Sequence, residues 1–332
     1  MRIKFLILIL LVIALFAANL FFGAISIAAD EVIAALLGNG TNKAIDFIVT
    51  GSRLPQALTA LGAGAGLGVA GLLLQTAFRN PLAGPSILGI SSGASLGVAI
   101  VMLFLGGTLS IGGYEWGGYG AVIVGALAGS MLIIGILLFF STLVKSDLLL
   151  LITGIMIGYL TSSVVTLLSS VSTAQGVQGY VLWGMGSFAD VTSDRLGWFW
   201  SLNFIGLVLA MGLAKPLNLL LLGDNYASNL GLNVQKTRNF LLITTGLLTA
   251  VITAYCGPVS FIGMAVPHIS RLTFRTDNHW ILLPSTMLFG AIVALLCNVA
   301  STLPDNMVIP INALTPIVGV PVILYVIVNR RK

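Results

Sequence analysis

The sequence predicts an all-α integral membrane protein of about ten transmembrane helices. Three observations predict it. Of 332 residues, 58% are hydrophobic. Only 8% are Asp, Glu, Lys or Arg, against about 25% in an ordinary soluble protein. Apolar runs of the length that crosses about 30 Å of hydrocarbon recur from one end of the chain to the other. A soluble fold of this size could not solvate its surface with so few charges, whereas a surface facing lipid needs none.

The expected spans are 5–25, 55–77, 86–106, 119–143, 148–170, 196–214, 239–256, 259–273, 282–300 and 311–328. The first follows Arg2 and Lys4 and runs apolar to Leu20. That is long for the h-region of a signal peptide, about 7–15 residues, so it reads as an uncleaved first helix. The second opens at Pro55 and holds Gly62, Gly64, Gly66, Gly68 and Gly71, small residues that let helix backbones approach in lipid. The third follows Pro81 and Pro85. Lys145-Ser146-Asp147 separates the fourth from the fifth, and the sixth stops ahead of Lys215-Pro216. The seventh ends near Pro258, and the ninth ends before Pro304. The eighth is short and contains Pro267, which predicts a tilted or partly buried segment; Pro316 falls inside the tenth. Such prolines kink or break a membrane helix, and neighbouring helices re-satisfy the freed backbone groups.

Charge in the connections sets the orientation. With the N-terminus inside, the inner side receives 12 basic residues: Arg2, Lys4, Arg79, Lys145, Lys215, Lys236, Arg238, Arg271, Arg275, Arg330, Arg331 and Lys332. The outer side receives three, Lys43, Arg53 and Arg195. An even number of spans, with both termini cytoplasmic, is expected. The net charge of +5 does not point to nucleic acid, because the basic residues are scattered between apolar runs and build no basic stripe.

Two stretches resemble each other: Ala83-Gly84-Pro85-Ser86-Ile87-Leu88-Gly89-Ile90 and Cys256-Gly257-Pro258-Val259-Ser260-Phe261-Ile262-Gly263-Met264. The first begins at the inner end of a span and the second at the outer end of another. An inverted repeat would give that, with spans two to five answering seven to ten.

The catalytic vocabulary is missing. There is no GxxxxGK[ST] loop for ATP, no HExxH, no Cys/His metal spacing and no Ser/His/Asp set. No catalytic residue, metal ligand or cofactor is expected. Cys256 and Cys297 sit in apolar runs, where free cysteine behaves as a small hydrophobe. His268 follows Pro267 in an apolar run and reads as a packed structural histidine. The span centres hold almost no ionisable residue, which argues against an ion-coupled pump built on a buried acid. A secondary transporter with inverted repeats is nevertheless the rival reading from another functional class.

The informative polar segment is 215–238, between spans six and seven, within a single domain of 1–332. Asp224 favours a helix start. Ala227 and Leu230 lie three apart on one face, and Gly231 supplies a left-handed stop. One short helix facing the cytoplasm is expected there. On span five, Ser162, Thr166, Ser169 and Thr173 recur at spacings of four, three and four, one helical face. That row either bonds a neighbouring helix or lines a wet cavity.

Gly223-Asp224-x-x-Ala227-x-x-Leu230-Gly231 resembles the coupling-helix motif of binding-protein-dependent ABC permeases. Flanking motifs narrow the resemblance to the iron-complex and vitamin B12 importer permeases. Arg53-Leu54-Pro55 is similar to that family's RLPR. Gln75-x-x-Phe78-Arg79-Asn80-Pro81-Leu82-Ala83-x-Pro85-x-x-Leu88-Gly89 is similar to its NPLA signature, and Gly257 through Arg271 to its PHxxR signature. The resemblance runs from about residue 50 to the end. It implies a permease subunit in a bacterial or archaeal cytoplasmic membrane. Its partners would be a second copy, two cytoplasmic ABC ATPases, an external substrate-binding protein and the surrounding lipid. The cargo would be a ferric siderophore, haem, cobalamin or an oxyanion. It also implies ATPase coupling at Gly223, Asp224, Ala227, Leu230 and Gly231, and a binding-protein dock at Arg53. The translocation path would run by Ser162, Thr166, Ser169 and Thr173, with a cytoplasmic gate at Lys145 and Ser146. The chain departs from the vitamin B12 member at Gln56 and Thr302, where that relative carries arginines.

Overall fold

A computed structural model describes the chain except residues 41, 112–113, 145–146, 304–307 and 330–332. α1 (Arg2–Phe21) is apolar all round and lies at the margin of the bundle. α2 (Ala29–Leu36) and α3 (Lys43–Asp46) lead through a π-helical stretch, Phe47–Arg53, into α4 (Leu54–Ala77). α5 (Ile90–Ala99) runs into a π-helical turn, Ile100–Phe104, and then a hairpin of β1 (Thr108–Ile111) and β2 (Tyr114–Gly117). α6 (Tyr119–Leu143), α7 (Asp147–Val171), α8 (Ala174–Gly184) and α9 (Ser193–Gly212) follow. Next come α10 (Ala214–Leu220), α11 (Asp224–Asn229), α12 (Val234–Cys256), α13 (Ile262–Phe274), α14 (His279–Thr302) and α15 (Ile311–Asn329).

The architecture is nearly all-helical; the hairpin is the departure from the expected all-α class. Among the described residues, six helices are long and apolar enough to cross a membrane, or seven if α9 and α10, bent by 48°, count as one span. Two further apolar stretches, Ile90–Phe104 and Ile311–Val326, are shorter.

α4 is the axis of the fold. It packs against α9, α12, α13 and α14, and nearly all of its residues from Ala57 to Ala77 are buried. Glycine makes this density possible. A Cβ on Gly64 would fall 2.1 Å from the Gly290 carbonyl of α14, and one on Gly290 would fall 2.1 Å from the Gly64 carbonyl. Only two residues without side chains allow the backbones that close. The halves α4–α7 and α12–α15 share a contact pattern. α4 packs on α13 and α14; α12 packs on α5 and α6. α5 lies on α6 and α7, and α13 lies on α14 and α15.

Several boundaries differ from the sequence reading, each for a local reason. The third span was placed at 86–106, but Gly89 adopts φ +76 and helix starts only at Ile90. The eighth was placed at 259–273, but Phe261 sits at φ +66 and α13 covers Ile262–Phe274, 13 residues. Hydropathy averages over such backbone reversals and cannot see them. The seventh begins at Val234, so Lys236 and Arg238 belong to its first turns. The fifth ends at Val171, so Thr173 is not on its face. Thr173 caps α8, its hydroxyl accepting from the Gly176 N–H at 3.2 Å.

Candidate functional site

The site is assembled at one pole of the bundle, where the C-terminus of α4, the N-termini of α12 and α14, and α10–α11 meet. α10 buries Leu217 and Leu220 against the bundle. Gly223, at φ +101, turns the chain out and occupies the N-cap of α11, so Asp224 sits in the first turn instead of capping. α11 is anchored by Ala227, which is fully buried. Leu230 does not join it: it lies beyond the last helical residue and is 60% exposed. Gly231 at φ +86 closes the helix, its N–H donating to Ser228 O at 2.9 Å while Leu232 N–H donates to Ala227 O at 3.0 Å. This pair of bonds is a Schellman stop, which needs a left-handed residue at the Gly231 position. The outward face presents Leu221, Leu222, Tyr226 and Leu230, all exposed.

Asp224 is the electrostatic centre of this pole. It pairs with Arg79, from the end of α4, and its second oxygen lies 3.5 Å from Arg238 Nη2 in the second turn of α12. Arg79 is held for this by an unusual backbone. It ends α4 with a second Schellman stop at φ +44, Arg79 N–H donating to Thr76 O and Asn80 N–H to Gln75 O. A non-glycine residue there costs about 1–2 kcal/mol.

A second knot ties the two long sequence motifs together. Gln75 Nε2 donates to Met264 O at 3.0 Å, and Arg271 Nη1 donates to Gln75 Oε1 at 2.6 Å. His268 Nε2 lies 2.7 Å from Pro81 O, which gives this buried histidine a structural partner. His279 sits between Thr76 Oγ1 and Asn218 Oδ1, each 2.9 Å away, and so joins α14 to α4 and α10. Gln75, Thr76, Arg79, Pro81, Leu221, His268, Arg271 and Asp277 enclose a cavity of about 290 Å³.

Sequence reasoning found the α11 segment but not the partners of Asp224. Arg79 entered it as a topology charge and as part of the NPLA signature, Arg238 as a topology charge alone. Neither signal points to Asp224, and the contacts join residues 145 and 14 positions apart.

The other candidate residues lie apart from this pole. Ser162 and Thr166 are exposed on α7, and Ser169 is half-buried. Ser162 and Thr166, with Ser92, Ser95, Thr161 and Tyr180, line a groove of about 220 Å³ between α5, α7 and α8. Lys145 and Ser146 lie outside the described residues.

Arg53 lies at the start of α4 and is 6% exposed. Nη1 donates to Leu20 O at 2.8 Å and Phe21 O at 3.1 Å, and Nη2 donates to Ile25 O. The carbonyls that end α1 attract the guanidinium, as the negative end of any helix does. Of the departures noted above, Gln56 donates to Asn298 Oδ1 at 2.9 Å, and Thr302 Oγ1 lies 3.1 Å from Val299 O within its own helix.

The FecCD transport family model matches residues 9–329. The chain belongs to the FecCD transport family. It is 36% identical to the hemin transport system permease protein HmuU of Yersinia pestis, over 99% of this chain and 95% of that protein. It is 35% identical to the vitamin B12 import system permease protein BtuC of Salmonella paratyphi A, over 84% of this chain and 83% of the relative. Its backbone matches a solved inward-facing structure of a metal-chelate type ABC transporter with a TM-score of 0.86. That match covers 99% of this chain and all of the other, at 28% identity. This FecCD member is a multi-pass inner-membrane permease, not an enzyme.

Proposed function

We propose that this FecCD permease is the membrane subunit of an ABC importer for a metal chelate, of the ferric siderophore, haem or cobalamin class. It works as a homodimer with two cytoplasmic ATPases and an external substrate-binding protein. The observation that carries the reading is α11: a short helix anchored by buried Ala227, clamped through Asp224, and presenting Tyr226 and Leu230 outward. An exposed apolar face on a firmly tied helix suits a partner that pushes on it. ATP-driven closure of the ATPases displaces α11, and Asp224 carries the displacement to α4 through Arg79 and to α12 through Arg238. Alternating access is then rigid-body movement of packed helices.

In this reading both termini are cytoplasmic, and α11 faces inward with the basic loops. Ten crossings are reached by counting α5 with its π-helical turn, α13 and α15 as short spans. The shared contact pattern of α4–α7 and α12–α15 supports an inverted repeat. Ser162, Thr166 and Ser169 border the path, Thr173 marks its far end, and Lys145 and Ser146 stand at the inner gate. Arg53 holds α1 against α4 and marks the binding-protein dock.

Gly231→Val tests the reading. A β-branched residue opposes φ +86 and the Schellman stop, at about 1 kcal/mol or more locally. Membrane insertion should be normal, with ATPase assembly and cargo uptake lost. Full uptake by this variant would refute the coupling role.

A further inference from the structure

Two kinds of tie leave the α10–α11 segment. The first is Asp224 with its two arginines. The side chains of Arg79 and Asp224 are 50% and 41% exposed, and an ion pair in such reach of water is weak and screened by salt. The second is Asn218, on α10. Its Oδ1 accepts twice from one residue, from the His279 backbone N–H at 2.8 Å and from His279 Nδ1 at 2.9 Å. The backbone bond satisfies an N–H that no turn of α14 can satisfy. His279 is the first residue of α14 and is 1% exposed. Across the ring, Nε2 lies 2.9 Å from Thr76 Oγ1, near the end of α4. One line of hydrogen bonds therefore joins α10, α14 and α4, and it is closed to water at the imidazole.

The surrounding bonds fix the protons of this line. Asn278 Oδ1, the cap of α14, accepts from the Trp280 N–H at 3.0 Å. It also accepts from Asn218 Nδ2 at 3.0 Å, so the Asn218 amide presents its oxygen to His279. An oxygen there requires the proton on Nδ1, and Nε2 is left to accept from Thr76. The Thr76 hydroxyl has a single hydrogen and a second acceptor, Leu72 O at 3.0 Å, so it can bond either α14 or its own helix. For packing alone, an apolar residue would serve at so buried a position. We propose, on the basis of the importer reading, that Asn218 and His279 are positioning residues of the coupling step. Displacement of α11 carries α10 with it, Asn218 moves α14 at its first residue, and the His279 ring passes the movement to Thr76 of α4. α14 thereby gains a driven contact that Asp224 does not supply, through buried bonds that salt does not screen.

The permease, its ATPase and the binding protein are assembled in proteoliposomes, and the chelate taken up per ATP hydrolysed is measured. Asn218→Leu removes both bonds to His279 and should lower that ratio about tenfold, the scale of a lost buried hydrogen bond. Asn218→Asp keeps an accepting oxygen, at a helix start that favours an acid, and should hold the ratio within about twofold. His279→Phe should cost as much as Asn218→Leu, and the double variant no more than either alone, because the two side chains act as one link. An unchanged ratio in Asn218→Leu, an equal loss in Asn218→Asp, or additive losses in the double variant would overturn the proposal. Should a variant fail to fold, the unaltered permease decides. Its 15N NMR spectrum, with label at its two histidines, should show one ring protonated at Nδ1, His279, and one at Nε2, His268, which faces the Pro81 carbonyl. Two Nε2–H rings would overturn the proposal whatever the variants do. Uptake by the wild type without its ATPase would refute the importer reading and this link with it, and that result is seen before any variant is made.

Discussion

α7 and α12 both carry hydroxyls at helical spacing: Ser162, Thr166 and Ser169 on the first, Thr245, Thr249 and Thr253 with Thr244 on the second. Their local bonding is alike. Thr166 Oγ1 donates to Ser162 O at 2.9 Å and Thr249 Oγ1 donates to Thr245 O at 2.8 Å, each one turn back along its own helix. Their surroundings are opposite. The four threonines of α12 are essentially fully buried where α12 packs between α4, α6 and α9. Ser162 and Thr166 are exposed, because α7 meets the bundle through α5 and α6 on one side only. A hydroxyl row is therefore not a path or a packing seam in itself. The helix's neighbours decide which, and those neighbours come from residues far away in the chain.

The largest difference between the rows should appear on enlarging a side chain. Thr249→Leu forces extra volume into a closed core and should lower stability by about 1–3 kcal/mol. Thr166→Leu, on an open face, should stay within about 0.5 kcal/mol. Thermal unfolding in detergent reads both, and equal losses would erase the distinction. Chemical access comes next. Cys256 and Cys297 are both buried, and replacing them with alanine leaves a background for labelling. On it, Ser162→Cys and Thr166→Cys should react with a small water-soluble thiol reagent, and Thr249→Cys should not. Nucleotide state should change the rates at 162 and 166 if they border the path. Silence at both in every state would make the α7 row a packing or dimer surface.

The smallest effect has the most informative sign. Thr245 Oγ1 is buried and has no hydrogen-bond partner among the described residues. Thr245→Val keeps the shape and removes an unmet hydroxyl, so stability should rise by about 1 kcal/mol. Thr249→Val removes a bonded hydroxyl and should lower it by about as much. The same sign for both would mean that the two hydroxyls of α12 are not in different states.

What the sequence disclosed follows the range of the interactions involved. Gly223 to Gly231 was legible because a short helix between two glycines is decided by residues within a few positions of each other, and Gly231 at φ +86 is that local logic. The tie between Arg53 and α1 was not legible, because its acceptors, Leu20, Phe21 and Ile25, lie about thirty positions back in the chain. Asp224 was placed on the right helix, yet its function as a clamp depends on Arg79, which reaches it only through the left-handed end of α4. The spans were found by composition. The short α5 and α13 were overdrawn, because Gly89 and Phe261 reverse the backbone without changing hydropathy. Thr173 continued a numerical series that its helix did not: α7 had already stopped at Val171.

Uptake of a labelled metal chelate into proteoliposomes tests the central claim most directly, with the permease present alone, with its ATPase, and with both the ATPase and the binding protein. The expected result is accumulation only when all three proteins and ATP are present, lost in Gly231→Val while the permease remains inserted. Accumulation by the permease alone, driven by a proton or sodium gradient and indifferent to Gly231, would contradict it.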